Sequence, residues 1–456
     1  MTKLKTILQF LQDKSILLLG MGREGRSSFR FLQKYMPQVK IAIADKNTQL
    51  DLSDYNTKDI KFILGEDYLQ AITDFDLIIK SPGISLKDVI VEPTKITSQT
   101  DLFLQAFGKQ SIAVTGTKGK STTSSFIYHI LNQLSDNILF GGNIGVPLLD
   151  LIDKIDVQTK IVLELSSHQL EYIHQAPHIA ILLNLYEEHL DHYISYTAYQ
   201  KAKYNIALKQ NSQDFFIYND DDSEISKRIA ENPFVSNGLP FSTQKSKNVY
   251  SYYHNKQFFL IKEKQKQLIK TIDKHFPLKG EHNYANIAAA IAALSCVEGV
   301  AVNKIGLHFD TFKPLPHRME LVGTYDGIIF YNDSISTIPQ ACIAAVESLQ
   351  NVDTLILGGM DRGIDYQILA DYFKNKQSVQ HFIFIGLAGE RMYELFAANK
   401  INNLYKANDY QEIVKIAKKI THCGKICLLS PAAPSYDQFK NFEQRGEVFK
   451  ALIMNK

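Results

Sequence analysis

Short apolar runs of strand length alternate with longer helical patterns along almost the whole chain, which predicts an α/β protein with mostly parallel sheets. Two further observations divide it into three α/β units in series. Two glycine-rich loops each stand between a strand-sized run and a helical one. A stiff, helix-incompatible stretch, Lys313-Pro314-Leu315-Pro316, then precedes a last alternating segment. A length of 456 residues agrees with this count at roughly 150 residues per domain. The expected domains are 1–98, 99–314 and 315–456.

The first unit holds expected strands at 15–19, 39–44, 61–64 and 77–80. Gly20-Met21-Gly22-Arg23-Glu24-Gly25 follows the first and opens a helix, and Asp45 ends the second. Glycines allow a tight turn and close approach of a phosphate, the helix N-terminus favours negative charge, and the acid suits a ribose. Nicotinamide, flavin and UDP-sugar ligands all satisfy this pattern. Ser81-Pro82-Gly83 makes a further turn after strand 77–80.

The second unit begins near Gln99. Strand 111–115 leads into Thr115-Gly116-Thr117-Lys118-Gly119-Lys120-Ser121-Thr122, and Phe126, Ile127, Ile130, Leu131 and Leu134 recur at helical spacing after it. In such a loop backbone N–H groups cradle ATP phosphates, Lys120 neutralises the β/γ-phosphates, and the Ser121 hydroxyl ligates Mg²⁺. Val114 stands where the usual first glycine would be, and Gly116 takes its place. Strands 160–165 and 179–184 follow. The stretch 215–272 reads as shorter, more polar strands forming an insertion, and an alanine-rich helix packs back at 284–296. The third unit has expected strands at 327–331, 354–357, 382–385 and 425–429.

Composition narrows the classes. Fifty basic against 48 acidic side chains leave +2 with histidines neutral, which gives no support for nucleic-acid binding through bulk charge. With 45% apolar and 21% charged residues the chain is globular rather than disordered. Four cysteines without a CxxC pair fit a reducing compartment. No apolar run approaches the ~20 residues of a membrane span, and no signal peptide is read. A cytoplasmic enzyme is expected.

The second loop resembles that of the Mur ligases, ATP-dependent amide-forming enzymes of peptidoglycan synthesis. Matching segments run over essentially the whole length: Ser81-Pro82-Gly83-Ile84, Gly141-Gly142-Asn143-Ile144-Gly145, Leu163-Glu164-Leu165-Ser166-Ser167 and Gly280-Glu281-His282-Asn283-Tyr284-Ala285-Asn286. Pro316-His317-Arg318-Met319-Glu320 and Asp437-Gln438-Phe439-Lys440-Asn441-Phe442-Glu443-Gln444-Arg445-Gly446 complete the set, and the last is the most specific. The resemblance implies a Rossmann-like UDP-binding domain, a central ATPase domain and a Rossmann-like C-terminal domain for the amino acid. It is strongest toward the D-glutamate-adding members. It therefore implies an ATP-dependent ligase joining D-glutamate to UDP-N-acetylmuramoyl-L-alanine through an acyl phosphate, with duties in cell shape and division. A monomer is expected. Alternatives are an L-glutamate-adding relative, another Mur or folylpolyglutamate-type ligase, a nicotinamide-dependent oxidoreductase and a non-catalytic nucleotide sensor.

The resemblance also implies roles residue by residue. Gly116, Thr117, Lys118, Gly119, Lys120, Ser121, Thr122, Asn283, Asn286, Arg318 and Asp333 would bind ATP. Lys120, Glu164, His189, Lys203 and Arg318 would be catalytic. Two Mg²⁺ ions would be held by Ser121, Glu164, His189 and Lys203, the lysine as a carbamate. Gly22, Arg23, Asp45, Lys46, Ser81, Pro82, Gly83, Asn143 and His189 would contact the UDP substrate, and Thr337, Arg362, Ser435 and Phe442 the glutamate. Three departures stand out: Glu188 where aspartate is usual, and Ile335 and Arg362 where D-glutamate enzymes carry lysine.

Overall fold

The computed structural model describes residues 2–53, 60–189, 192–244, 249–274, 276–349, 351–375 and 379–454. Leu190 and Asp191, which complete the expected segment around His189, lie outside the described residues. The chain forms two compact units, Met1–His275 with Tyr284–Phe312, and Phe276–Asn283 with Lys313–Lys456. Among the described residues there are three sheets, two in the first unit and one in the second.

The first sheet contains β1 (Ile16–Leu19), β2 (Ile41–Asp45), β3 (Lys61–Leu64), β4 (Leu77–Lys80) and β5 (Ile96–Thr97), ordered β3-β2-β1-β4-β5 and parallel throughout. A central parallel strand is covered on both faces, so β1 is four consecutive buried aliphatic residues. The order reverses between β1 and β4, and the crevice beyond such a switch point is where doubly wound sheets take ligands. Both Gly20 (after β1) and Ser81 (after β4) stand there, and the Ser81 hydroxyl donates to the Gly20 carbonyl at 2.6 Å.

The second sheet comprises β6 (Ser111–Thr115), β7 (Ile138–Gly142), β8 (Lys160–Glu164), β9 (Ile179–Leu182), β10 (Phe215–Asn219), β11 (Asn237–Ser242), β12 (Ser251–His254), β13 (Gln257–Lys262) and β14 (Gln265–Thr271). Their order is β14-β13-β12-β11-β10-β9-β6-β8-β7. The expected insertion at 215–272 is a continuation of this sheet. β10 pairs parallel with β9 and buries Phe216 and Ile217, while β12, β13 and β14 form an antiparallel edge. Edge strands meet water on one face, so their polar alternation concealed their membership of the main sheet. Helix Lys120–Leu134 buries Phe126, Ile127, Ile130 and Leu131. In helix Glu281–Ser295 every residue from Ile287 to Leu294 is buried. Its small alanines let the surrounding layers approach closely.

The first two sheets share one continuous core and a polar seam. Arg23 donates to the Gly142, Asn143 and Gly145 carbonyls at 3.1, 2.9 and 3.3 Å, Ser27 donates to Asp150 at 2.9 Å, and Arg30 pairs with Asp150 at 2.6 Å. The two sheets therefore behave as one body.

In the second unit β15 (Glu320–Tyr325) runs antiparallel to β16 (Ile328–Asn332). With β17 (Val352–Gly358), β18 (His381–Ile385), β19 (Leu404–Lys406) and β20 (Ile426–Leu429) they are ordered β15-β16-β20-β17-β18-β19. The final motif closes this unit from inside. Arg445, 1% exposed, donates Nε to Ser334 Oγ at 2.9 Å, Nη1 to the Ala433 carbonyl at 3.0 Å and Nη2 to the Ser334 carbonyl at 2.7 Å. Ser334 Oγ donates in turn to the Phe442 carbonyl at 2.8 Å. Arg445 thus bolts the loops after β16 and β20 together. Arg445→Ala should strand these buried acceptors and leave a cavity, costing about 3 kcal/mol or more in urea unfolding; an unchanged midpoint would contradict this role.

Candidate active site

Three segments build the centre of the first unit: the loop between β6 and helix Lys120–Leu134, the end of β8, and helix Tyr196–Leu208. Gly116 at φ 150° and Gly119 at φ 85° adopt conformations that suit glycine, turning the loop back over the end of β6. The loop is then clamped. Lys118 N donates to Asn184 Oδ1 at 2.8 Å, Asn184 Nδ2 donates to the Lys118 carbonyl at 3.1 Å, and Thr117 Oγ1 lies 2.8 Å from the Tyr199 hydroxyl.

Lysines converge on this loop. Lys120 Nζ donates to the Gly116 and Thr117 carbonyls at 2.9 and 3.0 Å, and Lys203 Nζ donates to the same Gly116 carbonyl at 2.8 Å. Lys203 is 2% exposed, and burial followed by the nearby Lys120 charge drives its ammonium well below the usual lysine range. Lys118 pairs with Glu188 at 2.9 Å. Burial alone would raise the Glu188 carboxyl, but Lys118 holds it below its ordinary value.

Glu164 ends β8, opposite Val114 of β6 in the parallel register. Its Oε1 accepts from Asn143 Nδ2 at 2.7 Å, whereas Oε2 is buried with no hydrogen-bond partner. An orphaned carboxylate oxygen close enough to act on Lys203 suits a divalent cation. Ser121 is buried on the first turn of the loop's helix. His189 takes φ 60°, leaves its side chain 42% exposed, and sets Nε2 3.7 Å from Glu188 Oε2. Asn286 stands against Gly119, where any added Cβ would collide with its amide. The structure therefore gathers Gly116–Ser121, Asn143, Glu164, Lys203 and Asn286 in one unit with His189 beside Glu188.

A histidine cluster borders this centre and was not foreseen. The His168 ring lies 4.8 Å from His189 and 4.1 Å from His192 by centroid. Burial, then His192 and His189, pushes His168 down to about 2, so it stays neutral. His192 Nε2 lies 3.1 Å from Glu171 Oε2, which also pairs at 3.5 Å with the buried Lys80. Only the neighbouring Ser166-Ser167 motif signalled this position in the sequence, because one histidine on a short helix carries no pattern.

The first glycine loop is more self-engaged than expected. Asp45 accepts from Met21 N at 2.7 Å and Asn47 N at 2.8 Å, so its carboxylate shapes the loop it was expected to complete. Lys46 pairs with Glu66 at 3.1 Å. Arg23 spends its guanidinium on the loop after β7, while Gly22 caps the helix, and Pro82 and Gly83 lie in the turn that Ser81 begins.

In the second unit Asp333 is buried. It accepts from Met319 N at 3.1 Å, from Ser430 Oγ at 2.9 Å and from Ser336 Oγ. Burial pushes its carboxyl up to about 6 against those bonds. Asp333 thereby fixes the turn carrying Arg318, whose neighbours His317 and Met319 take φ 62° and 48°. Asn283 donates to the Lys279 carbonyl at 2.7 Å. Thr337, Arg362 and Ser435 sit in the loops leaving β16, β17 and β20, and Phe442 opens the last helix beyond β20. Arg362 lies 5.5 Å from the Tyr436 ring centre, and Ser435 is buried beside it. These are carboxyl ends of parallel strands, the edge where such sheets bind ligands.

A glycine loop between strand and helix, with lysines above it and a carboxylate on the next strand, defines a phosphate-loop α/β protein. Residues 14–98 match the Mur ligase MurD-like N-terminal domain, and residues 114–294 the Mur ligase middle domain. The chain is 33% identical over 473 residues to UDP-N-acetylmuramoylalanine–D-glutamate ligase of Ruminiclostridium cellulolyticum, covering 99% of each. The fold is similar to that of UDP-N-acetylmuramoylalanyl-D-glutamyl-2,6-diaminopimelate–D-alanyl-D-alanyl ligase from Acinetobacter baumannii. The TM-score is 0.60 at 16% identity, over 96% of this chain and 90% of that one. It is also similar to MurF ligase from Thermotoga maritima in complex with ADP, at TM-score 0.57 and 15% identity over 98% and 96%. The chain belongs to the Mur ligase family.

One buried acid offers a direct pH test. Glu24 accepts from Gln169 Nε2 at 2.6 Å, and its other oxygen is buried without a partner. Burial raises its carboxyl to about 7 despite that bond and the Arg23 and Lys80 charges. The folded protein holds this proton more tightly than the unfolded chain does. Its stabilisation is thus full below about 4.5 and lost as pH rises through about 7. Glu24→Gln should match the parent near pH 4 and exceed it at pH 8 by up to about 3 kcal/mol. Thermal melts with no pH-dependent gap would refute this assignment.

Proposed function

We propose that this chain joins the amine of D-glutamate to the L-alanine carboxylate of UDP-N-acetylmuramoyl-L-alanine, using ATP, in cytoplasmic peptidoglycan precursor synthesis. The observation that carries the chemistry is the meeting of Lys120 and Lys203 on one loop carbonyl, beside the unpartnered oxygen of Glu164. The specific substrates rest on the near full-length relationship to the D-glutamate ligases. No helix among the described residues is long and apolar enough to cross a membrane.

The reaction balances in two steps. A carboxylate oxygen attacks the γ-phosphorus of ATP, breaking its bond to the bridging oxygen and releasing ADP. The glutamate amine then attacks the acyl carbon, phosphate leaves, and the nitrogen loses a proton. Two anions meet in the first step, so the site must concentrate positive charge. Lys120 would leave the Gly116 and Thr117 carbonyls for the phosphates, and the loop N–H groups from Thr117 to Thr122 would cradle them. Mg²⁺ held by Ser121, Glu164, His189 and a carbamylated Lys203 would neutralise phosphate charge. The fit rests on two features: Glu164 has an oxygen to spare, and a buried Lys203 beside Lys120 gains by becoming an anion.

We assign UDP-substrate contacts to 1–98, with Ser81, Pro82 and Gly83 at the switch point and Gly22, Asp45 and Lys46 around it. Arg23 holds Asn143 in place there, and Asn143 and His189 face the acceptor carboxylate. Residues 99–314 carry ATP, with Asn283 and Asn286 for the adenine. Residues 315–456 would supply Arg318 for the phosphates and Thr337, Arg362, Ser435 and Phe442 for glutamate. Asp333 acts on the ribose side by holding the Arg318 turn. An arginine at 362 can grip a carboxylate with two parallel hydrogen bonds, which offsets the missing lysine at Ile335.

ADP release should require both ATP and the UDP-linked acceptor and should be faster with D-glutamate than with L-glutamate. Preference for another amino acid, or no turnover with either glutamate, would refute the assignment. Lys203→Ala and Lys203→Arg should both lose at least about a hundredfold in kcat, since neither side chain can form the carbamate. Activity of Lys203→Arg close to the parent's would show that the lysine acts only as a cation.

A further inference from the structure

The second unit carries a cluster that the ligase reaction leaves unused. Asp353, His381 and His422 meet at the amino ends of β17, β18 and β20, and one donor atom from each lies within 4.8 Å of the others. The proposed glutamate contacts leave the carboxyl ends of the same sheet, about 20 Å away along a strand as long as β17.

Its chemistry points to a ligand. Asp353 is 4% exposed, and both its oxygens face His422 Nδ1, at 3.1 and 3.2 Å. His381 Nδ1 stands 3.5 Å from Asp353 Oδ2. That nitrogen is buried and makes no hydrogen bond among the described residues. A bulge in the β17–β20 pairing falls between Val352 and Thr354, at Asp353 itself, and bulges re-aim side chains. Two imidazoles and a carboxylate form a common donor set for zinc and related divalent transition metals. Bonds of about 2.1 Å put tetrahedral donor atoms roughly 3.4 Å apart. The two carboxylate–imidazole separations already match, so only the histidines must close on one another. His422, with its side chain 69% exposed, leaves water room to complete the shell.

We propose that Asp353, His381 and His422 form a binding site for one divalent transition-metal ion of the zinc class, tying together three segments on the face opposite the glutamate edge. The competing account is structural: Asp353 also accepts from His422 N at 3.0 Å and could simply hold that turn.

The two separate in a titration of chelator-treated, full-length protein with Co²⁺ and with Zn²⁺. Excess Mg²⁺ and ADP should be present to occupy the nucleotide site. One equivalent should bind, giving a visible Co²⁺ absorption band. His422→Gln and His381→Gln should each weaken it at least tenfold while leaving ligase turnover within twofold. Because the His422 side chain is exposed, its variant should fold normally, and it decides the matter should His381→Gln prove unstable. Absence of a bound equivalent in the parent, or equal uptake by parent and His422→Gln, would overturn the site.

Discussion

Two lysine nitrogens share the carbonyl oxygen of Gly116, and much else in the first unit follows from that meeting. A carbonyl carries only partial charge, so it cannot neutralise two cations a few ångströms apart. Burial, then the Lys120 charge, drives the Lys203 ammonium well below the usual lysine range, while Glu188 and Glu164 act the other way. The near-neutral total charge of the chain conceals this, because the balance is local: Lys118 has Glu188, while Glu164 keeps one oxygen unpartnered.

Positioning the lysines demands rigidity around the loop. Asn184 clamps Lys118 from both sides, Tyr199 meets Thr117, and Arg23 ties the loop after β7 to the first sheet. Asn143 stands in that same loop and donates to Glu164, so a residue beside the first glycine loop orients the carboxylate beside the second. The first sheet is thereby coupled to the second glycine loop's surroundings through hydrogen bonds within one compact unit. In the second unit Asp333 and Arg445 do comparable work, holding the Arg318 turn and the β16 and β20 loops from a buried position.

Much of the fold was legible because buried parallel strands are uninterrupted apolar runs, as in Ile16–Leu19 and Ile179–Leu182. The edge β12–β14 was not recognised as part of the second sheet, since half-exposed strands mix polar residues into the pattern. The short strands β5 and β19 each carry too few residues for any periodicity. At the candidate site, the turn from Gly116 into helix Lys120–Leu134 was legible because glycines between a strand and a helix carry a local pattern. Lys203 needed the family resemblance, for nothing local distinguishes a buried lysine from a solvated one. The inward roles of Arg23, Asp45 and Asp333 were hidden for a related reason: a motif names residue types, not their partners. His168 belongs to no pattern and emerges only where it meets His189 and His192 from a second segment.

On the proposed function, the lysine-crowded loop serves transfer of the γ-phosphoryl group to a substrate carboxylate. Synthesis of the UDP-linked acceptor with ¹⁸O in its alanyl carboxylate tests this directly. Mass analysis of the phosphate released during turnover should find one ¹⁸O per phosphate, carried over when the acyl phosphate breaks. Phosphate free of ¹⁸O would mean that water, not the acceptor carboxylate, attacks ATP, which contradicts that transfer.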